Sequence, residues 1–287
     1  MSNPVFSNSD VFGEPRRTGA RQGARPGGTT TAQPQYGAYG AGAAGTTGAQ
    51  TADAASLDAM YNAPSATTAD TKRLTYDDVV IKTGGLLALL VVVAAATWTM
   101  APNIWPVGMV VGLVLGLVNA FKRNPSPALI MLYTVAQGVF LGGISKYYES
   151  FYDGVVGQAV LATICTFGAA LLLFRSGKVR VTPKFTRWLL IGMVGYLVFS
   201  LVNVVLVWTG VLDGWGMRGG TLGIIIGLVA VGLAAASLIV DFDSIKRGVE
   251  AGVPAKFAWS AAFGLLVTLI WLYLEFLRLL AIFQSGD

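Results

Sequence analysis

Histidine is absent from the 287 residues, and cysteine occurs once, as Cys165. Without histidine there is no His-ligated metal site, no Ser-His triad and no imidazole proton switch. A single cysteine excludes an intramolecular disulfide, and its place inside an apolar run reads as small-residue packing. Charge is scarce too, at 12% of residues against 54% hydrophobic, where a soluble domain carries about 25% charged residues. Any proton response must therefore come from carboxylates. No nucleophile stands with a base in the pattern, so an enzyme is not expected, nor is a cofactor.

What fills the chain instead is apolar sequence in runs long enough to cross a bilayer. Seven spans are read at roughly 78–101, 104–121, 128–148, 155–174, 187–209, 220–242 and 257–283. Pro102, Pro125, Pro127 and Pro183 fall at or between the boundaries, where helices break. Thr75 before Asp77 and Asp78 is an N-cap signal at the first span. The fold class expected is an all-α membrane bundle over 74–287. Residues 1–73, rich in Gly, Ala, Thr and Pro, are expected to be a disordered tail with no cleavable signal. Arg16, Arg17, Arg21 and Arg25 make the tail basic, but four arginines in such a tail do not define a nucleic-acid partner.

Basic residues assign the ends. Thirteen, from Lys72 and Arg73 through Lys122, Arg123, the Arg175–Arg187 loop and Lys246 to Lys256, share one side; Lys146 and Arg218 alone hold the other. Positive charge stays inside, so the amino terminus is expected in the cytoplasm and the carboxyl terminus outside. The partner expected from this reading is the bilayer itself.

Small residues then select a functional face. Gly223, Gly227, Ala230, Ala234, Ser237 and Asp241 recur at alternating spacings of four and three, on one side of a helix. Such a face packs closely on neighbours, and a carboxylate on it points into the bundle. Asp243 lies about 200° round the helix from Asp241. Gly108, Gly112 and Gly116 form a similar row leading to Asn119 and Lys122, and Gly138 and Gly142 another. A Lys122–Asp241 salt bridge is one reading, with protonation of the acid releasing it; separate solvated residues is the other. In the last span Glu275 shares a face with Ala261, Gly264 and Thr268, and Arg278 is its local partner. Glu275 sits roughly 27 Å from the inner end of its span, at 1.5 Å per residue, far from the depth of Asp241. Gln137 and Asn203 read as interhelical hydrogen-bonding residues.

The run Asp241-Phe242-Asp243-Ser244-Ile245-Lys246, the closing Leu277-Arg278-Leu279-Leu280, Gly138-Val139-Phe140-Leu141-Gly142-Gly143-Ile144-Ser145 and Tyr273-Leu274-Glu275 resemble the Bax inhibitor family. The resemblance covers about 74–284, leaves out the tail, and is strongest to the bacterial branch with a long amino-terminal extension. It implies seven helices with the last one central, wrapped by the other six, and a pH-sensitive calcium leak across the bacterial plasma membrane. It also implies a helix-six acid, matched by Asp241, paired with a helix-seven acid and latched by a basic residue at the position of Lys122. Aligning on Leu272-Tyr273-Leu274-Glu275 makes Glu275 the partner; aligning on Leu277-Arg278 puts Thr268 there, and depth favours the second. Asp241 and Glu275 are the oxygen ligands expected to meet calcium in transit, and Asp243 is the second acid of the motif. A non-conducting regulator that binds another membrane protein, such as a quality-control protease, is the alternative function. Secondary transport would call for inverted repeats, and none is evident.

Overall fold

Thr75 starts the first helix by a capping box. Its hydroxyl accepts from the Asp78 amide at 3.1 Å, and the Asp78 carboxylate accepts from the Thr75 amide at 3.2 Å. The computed structural model describes residues 72–214 and 216–286; the tail expected at 1–73 therefore lies almost wholly outside the described residues. Among the described residues, seven helices are long and apolar enough to cross a membrane: α1 (Tyr76–Met100), α2 (Trp105–Phe121), α3 (Pro127–Glu149), α4 (Val155–Arg175), α5 (Pro183–Trp208), α6 (Gly220–Glu250) and α7 (Ala258–Ser285). Pro127 and Pro183 are each the first residue of a helix, where the missing amide is no loss.

The largest departure from the sequence reading is α6, which runs on to Glu250 instead of ending near 242. The hydrophobic run stops there, but the helix does not. Asp243 pairs with Arg247 at 3.1 Å and Lys246 with Glu250 at 3.8 Å, both four residues apart along the extension. Asp241 is thus not about a turn from the helix end; more than two turns follow it. The loop after α6 is fastened to the chain before α1, with Leu74 N donating to Val253 O at 2.7 Å and Ala255 N to Lys72 O at 2.8 Å.

α7 is the most buried of the seven and packs on α1, α3, α4 and α6. It is central, but not wrapped evenly. α2 lies chiefly against α3, and α5 chiefly against α6, one layer further out. The glycine rows explain the close packing of α3 on α1 and α2: a Cβ on Gly142 would sit 2.3 Å from Ala94 O of α1, and one on Gly108 would sit 2.7 Å from Phe140 N of α3. Cys165, read as a packing residue, is instead exposed on the outer face of α4.

Candidate functional site

All six members of the α6 stripe, Gly223 to Asp241, are buried. The stripe lies against α7, and at its end Asp241 is only 2% exposed. Thr268 of α7 donates its hydroxyl to Asp241 Oδ2 at 2.8 Å, and Thr268 Oγ1 also lies 3.2 Å from Gly264 O. A hydroxyl carries one proton, so Thr268 serves the carboxylate or the carbonyl, not both at once. A neutral acid can donate to Thr268 Oγ1, and the threonine proton then turns to Gly264. The Thr268 hydroxyl thus lies within reach of two acceptors, one on each side of the α6–α7 contact.

Glu275 belongs to a second, separate cluster. It stands seven residues beyond Thr268 on α7, about 10 Å along the axis. Its carboxylate is 4% exposed and is met from several elements. Arg218, in the turn before α6, pairs with Oε1 at 2.9 Å, and Arg278 pairs with Oε2. Trp271 Nε1 donates to Oε1 at 3.3 Å. Tyr196 of α5 donates to Oε1 as well and accepts from Arg218. Arg278 also reaches the backbone oxygens of Arg218 and Gly223, tying α7 to the start of α6.

The structure thus places the proposed residues in two groups and leaves one out. Of the two α7 alignments, Thr268 and not Glu275 meets Asp241, and Glu275 and Asp241 share no site. Lys122 is exposed and forms no ion pair with Asp241, against the latch reading. The reason lies in α2: a Cβ on Gly112 would meet Gln137 Nε2 at 2.6 Å, one on Gly116 would meet Tyr133 at 3.2 Å, and Asn119 donates to Leu129 O at 3.2 Å. The whole row faces α3, so the end of α2 is not aimed at α6. Asp243 is on the other side of α6 from Asp241, paired with Arg247. Asn203 accepts from Met217 N at 2.7 Å, in the turn before α6. Gln137 Oε1 is buried with no hydrogen bond among the described residues.

Tyr196 and Arg218 were the residues that sequence reasoning missed. Arg218 was visible as one of two cations on the sparse side. Nothing in the apolar run around Tyr196 distinguished it.

These features define a polytopic bundle with a buried acid between its two most closely packed late helices. The family model described as Bax inhibitor 1 like matches residues 3–285, and the chain belongs to that family. The match reaches into the tail, beyond the 74–284 over which the motifs alone carried the likeness. No curated protein matches the chain.

Proposed function

We propose that the protein is a proton-sensitive cation leak, with calcium as the permeant ion, gated where Asp241 meets Thr268. The observation that carries this reading is the buried 2.8 Å hydrogen bond joining α6 to α7. A hydrogen bond to an ionised carboxylate is roughly twice as strong as a neutral one. Protonating Asp241 turns a charge-assisted contact into a neutral one and weakens the hold between the helices. Flux is then expected to rise as pH falls. One carboxylate and one hydroxyl are far fewer oxygens than the about six to eight that calcium takes, which suits passage better than retention. The positive-inside tally supports a reading with the Asp241 end facing the cytoplasm and the Glu275 end facing out of a bacterial plasma membrane. The residues present also suit a protein without catalytic activity or a resident cofactor.

A second reading is a non-conducting regulator that grips another membrane protein. It is favoured by α5, which is the least buried span and presents most of its apolar surface outward. The test is calcium flux into dye-loaded liposomes containing the full chain, followed against pH. The leak reading expects a pH-dependent flux in the wild type and a pH-independent one in Asp241→Asn. No flux at any pH sinks the leak and promotes the regulator. A pH response unchanged in Asp241→Asn keeps the leak and removes this gate.

A further inference from the structure

α1 and α4 both pack on α7 but hardly on each other. Between them lies a cavity of about 590 Å³, with Val91 and Trp98 on one wall, Val160 and Ile164 on the other, and Leu269 and Tyr273 at its floor. Val91, Val160 and Ile164 are exposed, so the cavity opens sideways, towards whatever surrounds the bundle. Its size falls within the range of about 300–1,000 Å³ typical of ligand sites. From Leu87 to Thr99 it runs about 18 Å along α1, close to the roughly 15 Å of one leaflet's hydrocarbon.

The hydroxyls along this groove are already engaged. Ser145 and Tyr273 bond each other at 2.6 Å, Thr163 donates to Ala159 O at 2.7 Å, and Thr99 donates to Ala96 O at 3.1 Å. With those satisfied, the lining offers water little and a hydrocarbon chain a great deal. One end is different. Lys146 Nζ stands 5.3 Å from the centre of the Trp98 ring, at the mouth of the groove, and is exposed. Its nearest acid in sequence is committed elsewhere: Glu149 accepts from Gly154 N at 2.8 Å and Val156 N at 3.0 Å, capping α4. Tyr147 and Phe151, with rings 5.1 Å apart, mark the same end as an interfacial aromatic belt.

We propose that this groove is a binding site for an anionic phospholipid, one acyl chain lying between α1 and α4 and the phosphate meeting Lys146. Apolar length is measured against a leaflet, and a cation that forms no ion pair among the described residues stands where the headgroup belongs. The inference does not depend on ion conduction. Lipid held here touches α7 through Leu269, next to Thr268, and Tyr273, about a turn and a half beyond it, so occupancy would bear on the α6–α7 contact.

The test uses the full chain in phosphatidylcholine vesicles containing a trace of phosphatidylglycerol or phosphatidylcholine with a photoreactive diazirine in one acyl chain. Labelled peptides are then mapped by mass spectrometry. The phosphatidylglycerol probe is expected to label residues 87–99 and 156–167 preferentially, by about fivefold over the phosphatidylcholine probe. Lys146→Gln should erase that preference without lowering phosphatidylcholine labelling. Val160→Trp, which fills the groove, should remove the labelling from both segments. Ala95→Phe on the opposite wall should do the same, and circular dichroism shows which variants remain folded. Labelling spread evenly over the exposed faces, including α5, overturns the site. Equal labelling by both probes in the wild type overturns the role of Lys146, and chains photocrosslinked to one another through α1 or α4 would show that a second copy occupies the groove.

Discussion

The two buried carboxylates of the bundle, Asp241 and Glu275, are about two helical turns apart on the same α6–α7 seam and are held in opposite ways. Thr268, a neutral donor, holds Asp241 and has an alternative acceptor in Gly264 O. Two guanidinium groups, a phenol and an indole hold Glu275. A proton on Asp241 rearranges one hydroxyl. A proton on Glu275 would leave two arginines without their shared counter-ion in a region with little water. The first arrangement is suited to changing state and the second to staying in one. On the proposed reading, the carboxylate held by a neutral hydroxyl is the one that responds to a proton, and the one held by two arginines is the anchor.

The largest effect follows from breaking the fixed end. Glu275→Gln leaves Arg218 and Arg278 with no carboxylate, and removing one partner of a buried pair costs about 3–5 kcal/mol. Thermal unfolding in detergent, followed by circular dichroism, should show a large loss of stability. A loss below about 1 kcal/mol would mean that the cluster is hydrated and the contrast with Asp241 is mistaken. Next comes Gly223→Ala. The new Cβ would lie 2.1 Å from Arg218 O, so the turn carrying Arg218 must move. Overpacking of this kind costs about 1–3 kcal/mol. Gly232→Ala on the same helix, where nothing lies within 4 Å, serves as the control and should unfold no earlier than the wild type.

Much of this seam was legible in the sequence, because its signals are local. The four-and-three spacing from Gly223 to Asp241 needs only helix geometry, and every member proved buried. Thr268 and Glu275 were placed on one face of the last span for the same reason. What was illegible involves partners far apart in sequence. Tyr196 reaches Glu275 across 79 positions, and Arg218 across 57. Neither periodicity nor composition relates such residues. Lys122 was misplaced for a third reason: a shared depth in the membrane was read as proximity. The glycine row of α2 shows only that some helix packs there, and that helix is α3. The end of α6 was misjudged because hydropathy reports where a chain leaves the membrane, not where a helix stops.

At the Asp241 end the expected effects are smaller in energy and, on the proposed reading, larger in function. Thr268→Val keeps the shape of the side chain and removes the donor to Asp241. The net worth of such a bond is about 1.5–3 kcal/mol when the acceptor is charged. Stability should fall less than in Glu275→Gln, yet calcium flux at neutral pH should rise and its pH dependence should flatten. Flux that keeps the wild-type profile in this variant would move the gate away from Thr268.

Lys122 is expected to matter least, which sharpens the comparison from outside. A latch between Lys122 and Asp241 would make Lys122→Gln mimic protonation of the acid, raising flux at neutral pH. The geometry argues otherwise. Asn119 and the glycines before it turn the end of α2 onto α3, the chain leaves the helix at Lys122, and the side chain is exposed. Surface substitutions of this kind change stability by about 0.5 kcal/mol or less. Lys122→Gln should therefore leave both the unfolding temperature and the pH–flux curve where they are. If the curve shifts as it does in Thr268→Val, a second conformation must bring α2 to α6, and the switch would then involve three helices where this structure joins two.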